Sequence, residues 1–339
     1  MTEKQYGGAS SFGLKSKAKK MEAKTKDLNT SKNLEIRNSD NTSSLTNDEL
    51  EKLKKAGKIA KQVVEYAKAI IKPNMPLLEI AEKIEDKIIE LGAKPAFPVN
   101  LSVNEIAAHA TPAFNDQELA RDLLKVDIGV HIDGHIADTA ITLDLSNSDV
   151  NKKLIEAAEK ALSEAINIVK LGSKINEIGG TIEKVITSLG FEPIRNLSGH
   201  KIEKHNVHAG VTIPNFDNKQ NKQIEEGVYA IEPFSTNGLG NVRDGKLSGI
   251  YHLENPRSVR DNFAREVLEF ITEEYKTLPF CSRWIHKKFG TRGLLALRQI
   301  ESAGLLHHYA QLIETGKGKV AQAEHTVILT EKEKIITTV

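Results

Sequence analysis

The stretch "DIGVHIDGHIADT", Asp127 to Thr139, restricts the fold more than any other part of the chain. Asp133-Gly134 between two strand-like runs is a strong signal for a two-residue hairpin. With those two residues at the turn, Ile132 pairs with His135, Val130 with Ala137 and Gly129 with Asp138. Side chains alternate along a strand, so Asp127 and Gly129 share a face. Asp138 joins that face as the diagonal neighbour of Asp127, roughly 7–8 Å away. Val126, Ile128, Val130 and Ile132 point the other way, Gly129 leaves open space between the carboxylates, and Asp133 belongs to the turn.

An unpaired carboxylate in apolar surroundings is costly. Two that converge need a shared proton or neutralising cations. A pair of divalent metals would require more ligands, and "NLSGHKIEKHNVHAG", "GVYAIEPFST" and "VAQAEHTVIL" contain candidates. From the residues alone both solutions stay open.

The surroundings of the hairpin indicate an α+β chain. "LTNDELEKLKKAGKIAKQVVEYAKAIIKP" reads as a helix, with Thr46 and Glu49 as a capping box and Pro73 as its stop. "PLLEIAEKIEDKIIELGA" is a second helix closed by Gly92, and two more follow in "NKKLIEAAEKALSEAINIVKLG" and "KINEIGGTIEKVITSLG". Strand-like runs at "VYAIEPF" and "VAQAEHTVIL" bracket a stretch read as helical, from "VRDNFAREVLEFITEEYKTLPF" to "LLALRQIESAGLL". Helices and strands mix without strict alternation, which favours α+β over a doubly wound sheet. Residues 1–46 are polar, poor in aliphatics and without period, and are expected to form a disordered tail ahead of a catalytic domain over 47–339. The tail's lysines (Lys15, Lys17, Lys19, Lys20, Lys24, Lys26) suit either plain solvation or contact with a polyanion such as ribosomal RNA.

Lys+Arg 47 against Asp+Glu 46 gives a net charge of only +1, too little overall to attract nucleic acid. Neither a signal-peptide core nor an apolar run of about 18 residues is present, so no membrane is expected. Cys281 is the only cysteine, which rules out an internal disulfide and fits a reducing cytoplasm. It has no obvious base beside it and reads as a small, partly buried residue.

Taken together, "AFPVNLSVNEIAAHATP", "VDIGVHIDGHIADTA", "NLSGHKIEKHNVHAG", "YAIEPF", "YKTLPFCSRW" and "AQAEHT" make the chain resemble the type 2 methionine aminopeptidases, from about residue 47 onward. The resemblance implies the pita-bread (creatinase/aminopeptidase) α+β fold, with a type 2 helical insertion over about 256–313. It implies Asp127 on one metal, His200 and Glu232 on the other, and Asp138 and Glu324 bridging. Such an oxygen-rich set suits two divalent ions, manganese, iron, cobalt or zinc. Paired ions lower the pKa of a water and polarise a peptide carbonyl.

By the same resemblance His109 and His208 contact the scissile peptide and stabilise developing charge. Glu232 moves protons. Phe97, with Val207, Phe234 and Ile250, lines the methionine pocket, and aliphatic Ile250 is nearer the archaeal form. His109 is further implied to be the nucleophile for fumagillin-type epoxides. His131, His135, His205 and His325 match no catalytic position, and His325, next to a ligand in a strand, should face away from it.

The implied activity is removal of initiator methionine when the next residue is small, by a cytoplasmic and monomeric enzyme acting on newly made proteins. The alternatives are a proline-specific peptidase of the same fold, and a non-catalytic relative that binds ribosomes or RNA. The "NLSGHKIE" context and the insertion argue against the first, and the five intact ligand types against the second.

Overall fold

Thr46 caps the first helix, α1 (Asn47–Ile70), by the expected capping box: its hydroxyl accepts from the Glu49 N–H, and the Glu49 carboxylate accepts from the Thr46 N–H. A computed structural model describes residues 45–255 and 257–339. The polar tail expected over 1–46 therefore lies outside the described residues, apart from its last two.

α1 and α2 (Leu77–Glu90) pack on one face of an antiparallel sheet built around the hairpin Leu123–Ile132/His135–Asp144. Ile59, Val63, Ile80 and Ile84 meet Val126, Ile128 and Val130 there, all fully buried or nearly so. Each such aliphatic contributes about 1.5–3 kcal/mol by leaving water. That is why the apolar set of the hairpin faces the helices and its carboxylates face the opposite way. The register is the one predicted, Gly129 opposite Asp138 and Ile132 opposite His135. Asp133 and Gly134 both have positive φ, 50° and 85°, as a tight turn of this hand requires.

A second layer repeats the arrangement. α3 (Asp149–Ile168) and α4 (Ile175–Ser188) cover a sheet in which Gly227–Ile231 lies between Ser198–Ile202 and His325–Leu329. The two layers are stitched where Ala140 bridges Glu324 and where Thr326 Oγ1 accepts from the Asp138 N–H at 2.7 Å.

A third sheet pairs the long strand Val242–Leu253 with Leu306–Glu314. The second of these corrects the expectation of a helical insertion to residue 313. Helices do occupy Asn262–Glu274 (α5) and Ser282–Ser302 (α6, broken by left-handed Gly290). Gly304, at φ 72°, then ends the run, and the chain returns as a strand. Its residues alternate: Leu306 packs on the helices, and the flanking His307 is exposed. The helices are tied to α2 by a buried pair in which Arg283 donates to both oxygens of Glu85, at 2.6 and 2.9 Å. Trp284 Nε1–H donates to the same carboxylate. Among the described residues no helix is long and apolar enough to cross a membrane.

Candidate metal centre and cleft

Residues of these three sheets, and of a fourth that contains Phe234–Thr236 and Val320–Gln322, meet on the face of the hairpin that carries the carboxylates. Asp127 stands between Asn100 and Ala140 in the ladder, and Asp138 stands opposite Gly129. His200 comes from Ser198–Ile202 in the second sheet, where it pairs with Ala230. Glu232 follows directly after Gly227–Ile231, and Glu324 directly precedes His325–Leu329. The register that pairs Ile231 with His325 sets Glu232 opposite Glu324. His200 Nε2 is 3.5 Å from a Glu232 oxygen and 3.8 Å from an Asp138 oxygen. One ligand atom each from Asp138, His200 and Glu324 lie within 4.8 Å of one another.

These five residues line a cavity of about 220 Å³, together with His109, His208, Phe97, Val207, Phe234 and Ile250. Every site residue expected from the sequence is brought to this one cavity. His131, His135, His205, His325 and Cys281 are not part of its lining. His131 Nδ1 accepts from the Gly134 N–H, and His325 bonds Thr338. Burial pushes the Cys281 thiol up to about 12, so it has no nucleophilic character at neutral pH.

The expectation of open space over Gly129 is corrected. The Phe97 ring occupies it, in contact with the place where a Cβ would stand. Glycine at this position lets the aromatic wall of the cavity approach the carboxylates.

Among the described residues no lysine or arginine lines the cavity, so four carboxylates face one another without a described cationic side chain. Burial pushes Asp127 up to about 7. Burial, then the charges of neighbouring members, hold Asp138, Glu232 and Glu324 well above the usual carboxylate range. Asp127 Oδ1 and Asp138 Oδ1 are buried without a hydrogen-bond partner. A set of hard, convergent oxygens, two of them without a hydrogen-bond partner among the described residues, together with one imidazole fits divalent cations.

Gln322 was missed by the sequence reading. Its amide nitrogen lies 3.3 Å from Asp127, 3.4 Å from Glu232 and 3.4 Å from Glu324. The signal was present: Gln322 is two residues before Glu324 in an extended segment and so shares its face.

His109 takes a left-handed backbone conformation, φ 58°, uncommon for a residue with a Cβ. Burial, then His208, lowers its imidazole to about 4, although a hydrogen bond with the Ala310 backbone opposes this. His208 stands with its ring 4.4 Å from that of His200, and burial lowers it too. Both imidazoles are therefore neutral near pH 7 and can each donate one N–H.

Comparison with known proteins agrees with this picture. The model of metallopeptidase family M24 matches residues 51–331. A methionine aminopeptidase of Pyrococcus abyssi is 50% identical over 295 residues, which cover 86% of this chain and 99% of the relative. The crystal structure of a methionine aminopeptidase from Thermotoga maritima superposes with a TM-score of 0.64 at 21% identity, covering 87% of this chain and 98% of that one. The structure of a thermophilic Arx1 gives 0.73 at 14% identity, covering 87% and 91%. At such identities the two structures speak to the fold alone.

Proposed function

The chain belongs to metallopeptidase family M24 and, within it, to the methionine aminopeptidases, and from that membership and the cavity we propose how its residues share the work. The fold is the pita-bread fold, and the protein is a divalent-metal-dependent hydrolase that removes N-terminal methionine. The proline-specific and non-catalytic alternatives are not favoured, since relatives of about half identity carry the methionine aminopeptidase name.

Asp127, Asp138, His200, Glu232 and Glu324 would hold two cations, with Asp138 and Glu324 shared between them. The cations, when bound, supply Lewis-acid activation of the attacking water and of the scissile carbonyl. Phe97, Val207, Phe234 and Ile250 surround the methionine side chain and exclude water from it. A Glu232 carboxylate oxygen takes the proton of the attacking water and passes it to the leaving amine. Neutral His109 and His208 donate hydrogen bonds to the peptide as negative charge grows on its oxygen. Residues 256–313 act as an insertion that adds helices and one strand, the strand forming a wall of the cleft.

The single observation that carries this reading is the convergence of four carboxylates, Asp138 and Glu324 buried and Asp127 and Glu232 partly so, and of His200 on a cavity lined by no lysine or arginine among the described residues. We place the enzyme in the cytoplasm as a monomer acting on newly made proteins when the second residue is small. The lysines of the tail offer a contact with the ribosome. Incubation with a divalent metal and either Met-Ala-Ser or Ala-Pro-Ala tests the assignment. Free methionine from the first and nothing from the second is expected, and cleavage only of the second would overturn it.

A further inference from the structure

The strands Val242–Leu253 and Leu306–Glu314 form a wall with two different faces. Tyr251, Leu253 and Leu306 pack into the apolar cluster under α5 and α6. His308 lies on that side as well, stacked on Tyr251 and bonded to Glu301. Alternation turns Ile250, His252, His307 and Tyr309 to the cleft. Ile250 and Tyr309 line the cavity. His252 and His307 are direct cross-strand partners, with ring centroids 5.1 Å apart. Tyr309 joins them to the site: its ring lies 4.7 Å from His307, 5.4 Å from His252 and 5.3 Å from His109.

The geometry points to His252 and His307 as a peptide-positioning pair that holds the substrate beyond its scissile bond. The inference rests on the proposed function, because it takes the methionine side chain to lie beside Ile250. From Ile250 to His252 the wall advances by two strand residues, roughly 6.5–7 Å, which is also the advance of two residues of an extended peptide. The imidazole pair therefore stands level with the third residue of a substrate whose methionine fills the pocket. His307 is exposed, and His252 Nδ1 is buried with no hydrogen-bond partner among the described residues.

A neutral imidazole offers one donor and one acceptor, the complement of a peptide group. Main-chain groups of the second and third residues are the fitting ligand, so the pair reads peptide length and not sequence.

Steady-state kinetics on Met-Ala amide and Met-Ala-Ser-Ala amide test this, with the wild type and the His252→Ala/His307→Ala double variant. Two lost hydrogen bonds should cut the wild-type preference for the longer peptide about tenfold, through KM with little change in kcat. The His252→Asn/His307→Asn variant, which keeps polar groups in place, should recover part of that preference. An unchanged length preference in the alanine variant would overturn the inference, while methionine release by the wild type left the proposed function standing. An equal loss on both peptides would overturn it too, since it would place the pair in the reaction or the fold.

Discussion

The Phe97 ring rests on Gly129, in the space where any other residue at that position would carry its Cβ. The hairpin that supplies Asp127 and Asp138 thereby also seats the aromatic wall of the cavity, which we propose takes the methionine side chain. Gly129→Ala should displace the ring and lower kcat/KM for methionyl peptides about 10- to 100-fold, the scale on which a hydrophobic pocket discriminates. In Phe97→Ala the same glycine change should cost little more, because the clash is gone. Kinetics on the two single variants and the double variant check this coupling.

Gln322 is the only neutral amide that reaches three of the carboxylates among the described residues. It orients their oxygens without neutralising them. Gln322→Ala should weaken divalent-cation binding about 10- to 100-fold, as loss of an outer-sphere partner does. Calorimetric titration against the wild type measures it, and unchanged affinity would show that the amide does not organise the site.

Removal of metal should make stability depend on pH in a definite direction. Asp127 sits at about 7 in the fold, and Asp138, Glu232 and Glu324 are also held above the usual range by burial. The protonated forms are thus the ones the metal-free fold prefers. Asp127's contribution is complete below the ordinary carboxylate pKa, about 4, and is lost as pH rises through about 7, and those of the other three are lost as pH rises through their own raised values. Chelator-treated protein should therefore show a melting temperature that falls over that window. Added manganese should raise the melting temperature at pH 7.

His109 stays neutral down to about pH 4, far below an ordinary imidazole, because burial and then His208 disfavour its charge. Its own contribution to stability is complete above about 6.5 and is lost as pH falls toward about 4. A fumagillin-type epoxide should add once, on the peptide that contains His109, at a rate that does not fall between pH 7 and pH 5.5. Intact mass spectrometry with peptide mapping decides it. An adduct on His208, or one undiminished in His109→Asn, would exchange the roles of the two histidines.

Legibility in the sequence followed the range of the interactions. The hairpin register could be read because the turn residues and a period of two are local, and burial of one face leaves a single register. That Asp127, Asp138, His200, Glu232 and Glu324 come together was legible through motifs, each short enough to recognise. Leu306–Glu314 was misread because "LLHHYAQLIE" follows a helical run, and only its partner strand, more than fifty residues earlier, makes it extended. Gln322 was overlooked because it carries no charge and titrates nothing. The filled space over Gly129 depends on Phe97, which reaches it from another segment, and no pattern within either stretch records the contact.

The central claim is that Asp138 and Glu324, buried and within 4.8 Å of His200, together hold two cations for hydrolysis of a methionyl peptide bond. Turnover of Met-Ala-Ser by Asp138→Asn and by Glu324→Gln, in excess divalent metal and with circular dichroism confirming the fold, tests it most directly. Loss of the shared carboxylate should lower kcat by about 1,000-fold or more, equivalent to roughly 4 kcal/mol of barrier. Near-normal release of methionine by either folded variant would contradict the two-metal account.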